Sequence, residues 1–83
     1  NMHNINIKNA HYQKDYQIFL EFYDNSQGTI DLRSFIFDKD SGVFARLKDI
    51  DQFINFTIQS HTLAWGNDLD LAPEFLHSLL PKN

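Results

Sequence analysis

Four histidines, eleven acidic side chains and five serines supply most of what this 83-residue chain could use for metal, acid–base or nucleophilic chemistry, because cysteine is absent. Zinc needs three or four converging ligands, and His3, His11, His61 and His77 show no two-histidine spacing on one helix face. The stretch Asp38–Gly42, DKDSG, opens like a calcium loop. Such a loop needs glycine sixth and glutamate twelfth, whereas here Gly42 stands fifth and Asp49 twelfth. The serines lack an elbow or triad context, and three glycines provide no phosphate-binding loop. Glu21, Asp31, Asp68 and Asp70 could meet in space as paired carboxylates, but a perturbed acid requires a desolvated cleft. In AWGNDLDLAPEFLHSLL, Ala64 to Leu80, three carboxylates crowd beside a tryptophan and an amide, and there Asp68, Asp70 or Glu74 would be the acid or base of a small enzyme. The sequence therefore predicts a protein that is not an enzyme and holds no metal or cofactor.

These residues must be positioned by short elements. In INIKNAHY, Ile5 and Ile7 alternate with polar neighbours, the period of a half-buried strand. After a tight turn at QKD, YQIFLEFY places Tyr16, Ile18, Leu20 and Phe22 on one face, and Gln17, Phe19, Glu21 and Tyr23 on the other. DNSQG reads as a hairpin turn whose glycine is free to take positive φ, and TIDL supplies a third strand. Phe35 to Phe37 fits neither period and reads as a helical turn or irregular segment. Asp49 followed by Gln52 is a capping-box variant, opening a short helix with Ile50, Phe53 and Ile54 on one face and Leu47 packing just before it. FTIQS and HTLAW read as two contiguous strands, with a glycine-free turn between Gln59 and Thr62. Trp65 ends the second strand pointing inward, Gly66 to Asp68 turn the chain, and Asp70 is sited to cap a last helix. That helix carries Pro73 and Glu74 in its first turn, with Phe75, Leu76, Leu79 and Leu80 at helical spacing. The prediction is a single α+β domain over residues 2–83, Asn1 reading as an added residue ahead of a natural start at Met2. It has an antiparallel three-stranded meander, a short helix, two further strands and a C-terminal helix packed on the sheet.

Composition narrows the partners. Seven basic residues, scattered along the chain from Lys8 to Lys82, against eleven acidic ones leave a net charge of −4. Such a surface repels phosphate backbones, so direct nucleic-acid binding is not expected. No apolar run is long enough to span a bilayer, and NMHNINIKNAHY lacks the basic and apolar regions of a signal peptide. The expected compartment is the cytoplasm, where the glycosylation pattern NFT at Asn55 has no meaning. Aromatic residues make up 14% of the chain, and most of them must fill a thin core. Phe19 and Tyr23 point away from the Ile18–Leu20–Phe22 face, so either the protein's own helix or a partner must cover them. Together with Trp65 they form the candidate interaction surface. In a rival reading, Trp65, Tyr23 and nearby acids line a small-molecule pocket between sheet and helix. Small size and free sheet edges also suggest a homodimer.

The later two-thirds of the chain, GVFARLKDIDQFINF followed by LAWGNDLDLAPEFL, resembles the bacterial family grouped as domain of unknown function 2442. The resemblance rests on Gly42, Phe44, Leu47, Asp49, Phe53, Trp65, Asn67, Asp70, Leu71, Pro73, Glu74 and Leu76. Gly66, Asp68 and His77 depart from that pattern, which usually has Pro, Gly and Tyr there. The opening meander ending in TIDL fits as well. The resemblance implies a small α+β domain, found alone or ahead of a helix-turn-helix domain and often encoded beside another small protein in toxin–antitoxin-like pairs. A chain ending at Asn83 is expected to lack the DNA-binding part. No catalytic residue is implied, and the expected role is a protein-interaction module, the antitoxin-like or partner member of a two-gene system.

Overall fold

The computed structural model of the protein describes residues 4–81, so the readings of Asn1, Met2, His3 and Lys82 lie outside the described residues. Alternation in the second strand decides the architecture. Tyr16, Ile18, Leu20 and Phe22 are all buried, and β2 (Gln17–Phe22) lies between β1 (Ile7–Tyr12) and β3 (Gln27–Asp31) in an antiparallel sheet.

Strand β1 is less regular than its sequence suggests. Ile7 pairs with Phe22 but Asn9 pairs with Glu21, so Lys8 is the extra residue of a bulge. The bulge shifts the inward phase from Ile7 to Ala10 and Tyr12. It also turns the Ile7 N–H out of the ladder to donate to the His61 carbonyl, at 2.9 Å, in the second sheet. In the β2–β3 turn Asn25, not glycine, takes positive φ (73°), and the Asp24 carboxylate accepts the Ser26 N–H at 2.8 Å. Gly28 instead lies inside β3 opposite Leu20. A Cβ there would stand 3.1 Å from Pro81 Cδ and 3.3 Å from Leu80 Cδ2, so the missing side chain is what lets the C-terminal segment close on the sheet.

Of the two readings for Phe35 to Phe37, the helical turn is the one present: helix α1 (Arg33–Phe37) buries Ile36, with Asp31 accepting the Arg33 N–H at 2.8 Å. A 3₁₀ helix (Gly42–Lys48) buries Leu47 and leads into α2 (Ile50–Phe53). Asp49 caps α2 through the Asp51 N–H, at 3.0 Å. The helix is one turn long, so Phe53 alone of its expected apolar trio is buried, leaving Ile50 and Ile54 exposed.

The second sheet is a meander of β4 (Thr57–Gln59), β5 (Thr62–Trp65) and β6 (Leu69–Leu71). Its glycine-free turn is Ser60–His61, both at positive φ (52° and 66°), the backbone that a two-residue hairpin requires whatever its side chains. Strand β6 is an addition to the reading above. Leu69 and Leu71 are buried and Asp70 between them is exposed, a period of two hidden in the approach to the last helix. Helix α3 (Pro73–Ser78) starts on Pro73 and buries Leu76. Ile36, Phe53, Leu63, Trp65 and Leu76 join Ile18, Leu20 and Phe22 in one core, so the helices and the second sheet pack on the inner face of the first sheet. Among the described residues no helix is long and apolar enough to cross a membrane.

Candidate functional site

The residues singled out from the sequence separate into three environments. Trp65 is 2% exposed and belongs to the core, not to a surface: Leu63 and Trp65 share the inner face of β5, and a buried indole N–H needs an acceptor, which the Phe53 carbonyl provides at 2.9 Å. The expected contact surface of Phe19, Tyr23 and Trp65 therefore loses its tryptophan. Trp65 and Tyr23 do not share the wall of a pocket either, because the indole is closed into the core while the Tyr23 ring is 46% exposed beside His61.

Phe19 and Tyr23 do face outward. Across β1 and β3, Phe19 sits opposite His11 and Thr29, and Glu21 opposite Asn9 and Gln27. The outer face is thus a polar sheet surface with one aromatic at its middle. Phe19 is half-buried through its stack on His11, ring centroids 6.4 Å apart, and it packs outside the core. Tyr23 follows the end of β2, is 46% exposed, and meets His61 edge to face at 5.9 Å. Asn9 Nδ2 donates to Glu21 Oε1 at 2.9 Å, a cross-strand bond between the two aromatic pairs. Sequence reasoning missed His11 and His61 as parts of this surface. Their signal was the cross-strand register for His11 and the tight hairpin for His61, neither of which is local to Phe19 or Tyr23.

The acids form the third environment. Asp68 and Asp70 both line a polar concavity of about 260 Å³ on the outer side of the second sheet, walled also by Gln59 and Thr62 and floored by Ala64. Their settings there differ. Asp68 takes two hydrogen bonds from the Arg46 guanidinium, both 3.1 Å, and Arg46 Nη2 also donates to the Trp65 carbonyl at 3.3 Å. Those bonds and the Arg46 charge hold the Asp68 carboxyl below its ordinary value. The pair ties the 3₁₀ helix to the β5–β6 turn, which also accounts for aspartate at this position. Asp70 does not cap α3, contrary to expectation. It is the exposed middle residue of β6, opposite Ala64, and the residue preceding the helix is Ala72, with no side-chain cap. Pro73 and Glu74 do occupy the first turn, where a carboxylate favours the positive end of the helix. Glu21 and Asp31 lie on the other sheet, away from the concavity.

Two further candidate ligands, His77 and Asp38, are engaged within the fold. His77 contacts Asp24 (Nε2 to Oδ2, 3.1 Å) and the Phe22 ring at 5.0 Å, fastening α3 to the β2–β3 turn. Two hydrogen bonds from Ser26, side chain first and backbone second, hold the Asp24 carboxyl below its usual range, with His77 contributing less. In the DKDSG loop, Asp38 accepts the Asp40 N–H at 2.7 Å, an Asx turn.

Compared with known proteins, residues 7–79 match the family described as Protein of unknown function (DUF2442). Neither a curated protein nor a solved structure matches the chain.

Proposed function

The chain belongs to the DUF2442 family, and from its surface we propose that it is a non-catalytic protein-interaction module that docks a protein partner on the outer face of β1–β2–β3. The observation that carries this reading is the aromatic strip His11–Phe19 and Tyr23–His61 on a sheet face that lies away from the core, while the helices pack on the inner face. Flat, amphipathic aromatic surfaces provide contact area at low entropic cost. The acids that could argue for catalysis are solvated or, in Asp68, already paired with Arg46. The finer role, the antitoxin-like or partner member of a two-gene bacterial system, rests on the family resemblance.

The test is co-purification of the untagged protein from its native cells, as the parent and as a Phe19→Ala/Tyr23→Ala variant. A stoichiometric partner retained by the parent and lost by the folded variant is expected. No partner under any growth condition, or retention by the variant, would overturn the reading.

The concavity over β4–β5–β6 favours a second reading, a sensor of small polar molecules. A metabolite-library thermal-shift screen is then expected to raise the melting temperature with particular polar compounds. Uniformly flat curves would remove this reading.

A further inference from the structure

At the end of the first sheet remote from Tyr23, two cations flank an exposed aromatic ring. The Arg33 guanidinium carbon lies 4.8 Å from the Tyr16 ring centroid and 5.4 Å from that of Phe37, and Lys48 Nζ lies 5.5 Å from the Phe37 centroid. Phe37 itself is 43% exposed. The backing is rigid: Tyr16 is buried, meets Phe37 edge to face at 5.2 Å and Phe53 at 5.1 Å, and donates its hydroxyl hydrogen to the Lys48 carbonyl. From Phe53 the rings continue to Tyr12, and Ile50 and Ile54, on the same one-turn helix as Phe53, are exposed. Exposed apolar side chains thus accompany the two cations in this part of the fold.

On a chain of net charge −4, these two cations have no carboxylate partner among the described residues, where the ion pairs are Arg46–Asp68 and His77–Asp24. The acids beside the patch in sequence each accept a backbone N–H, Asp31 that of Arg33, Asp38 that of Asp40 and Asp49 that of Asp51. Guanidinium presents a fork suited to a carboxylate, ammonium a point charge. We infer that the Arg33–Phe37–Lys48 patch docks an acidic, hydrophobic protein segment. Its carboxylates pair with Arg33 and Lys48, and an apolar side chain packs on Phe37. Charge argues against the other polyanions. A nucleic acid or an anionic membrane engages many basic groups at once, whereas this patch offers two, Arg33 and Lys48, enough for a short segment with a few carboxylates. The patch lies at the opposite end of β2 from the Tyr23–His61 pair, because Tyr16 precedes the strand and Tyr23 follows it, a separation of roughly 20 Å.

The probe is a fluorescein-labelled peptide, Glu-Asp-Leu-Phe-Glu-Asp-Leu-Leu, titrated against the full chain by anisotropy and by amide chemical shifts, alongside its Gln/Asn counterpart. Shift changes centred on Arg33 to Phe37 and on Lys48 are expected. About tenfold weaker binding is expected for Arg33→Gln/Lys48→Gln and for the uncharged peptide, with Tyr23→Ala unchanged. Because Arg33 and Lys48 are exposed, the double variant stays folded, and its dispersed amide spectrum checks this. Equal binding of the uncharged peptide, shift changes elsewhere, or no binding would overturn the inference. So would sedimentation with phosphatidylglycerol vesicles that the double variant abolishes, which would assign the patch to a lipid surface.

Discussion

Replacing Trp65 separates a core residue from a contact residue. Its side chain is 2% exposed and its indole N–H is bonded to the Phe53 carbonyl, so Trp65→Ala removes a buried ring and leaves a cavity, at a cost of about 3–5 kcal/mol. A domain of this length has roughly 4–12 kcal/mol of stability in total, so the variant is expected to be marginal or unfolded at 37 °C. Trp65→Phe keeps much of the apolar volume and loses the hydrogen bond, a milder loss of about 1–2 kcal/mol. Tyr23→Ala touches a half-exposed ring and is expected to stay within about 0.5 kcal/mol of the parent. Urea unfolding followed by far-ultraviolet circular dichroism measures all three without depending on the tryptophan. In the parent, Trp65 is the sole tryptophan, so blue-shifted emission resistant to iodide quenching gives an independent check. A Trp65→Ala variant with the parent's midpoint, or a Tyr23→Ala variant as unstable as Trp65→Ala, would refute the assignment of these two residues to core and surface.

Other consequences follow from single contacts. Gly28→Ala brings a Cβ to 3.1 Å from Pro81 and 3.3 Å from Leu80. It is expected to cost about 1 kcal/mol and to speed amide exchange in α3. Because the Asp24 carboxyl is held below its unfolded value, its contribution is present above the unfolded pKa of about 4 and is lost as pH falls through the folded one. Asp24→Asn should therefore lower stability near neutrality and flatten its acid dependence, as denaturation midpoints between pH 2 and pH 7 would show. Ser60→Asn/His61→Gly relieves two positive-φ side chains and should stabilise by about 1 kcal/mol while weakening any partner that contacts His61. A binding measurement alongside the melt separates the two effects. The Arg46–Asp68 pair is exposed on both sides, so Asp68→Asn is expected to leave the unfolding midpoint unchanged at physiological salt.

Much of the fold was legible because the signals are local. The alternation of Tyr16, Ile18, Leu20 and Phe22 is visible in one line of sequence and is the buried face of β2. Pro73 ahead of Phe75, Leu76 and Leu79 marks α3 for the same reason. What could not be read depends on distant partners. The bulge at Lys8 makes sense once Ile7 bonds His61, fifty-four residues on. Gly28 sits in a strand because Leu80 and Pro81 close over it, not because a turn needs it. Strand β6 was masked by its position: a three-residue strand between a turn and a helix borrows its evidence from Ala64 across the ladder. At the candidate site, the outward aim of Phe19 and Tyr23 follows from period two alone. The stacking of His11 and His61 against them requires the register and the second sheet. For Trp65 the sequence supports both an inward strand end and a surface aromatic, and its bond to the Phe53 carbonyl decides for the core.

The central claim, a partner docked on the outer face of the first sheet, is tested most directly by photo-crosslinking in the native cells. A benzophenone amino acid is placed at Tyr23 and, as a control, at Val43, which is 72% exposed and lies on the 3₁₀ helix. The account predicts one discrete adduct from position 23, identifiable by mass spectrometry, reduced by Phe19→Ala and absent from position 43. Identical adducts at both positions, or none at position 23 under any growth condition, would contradict it.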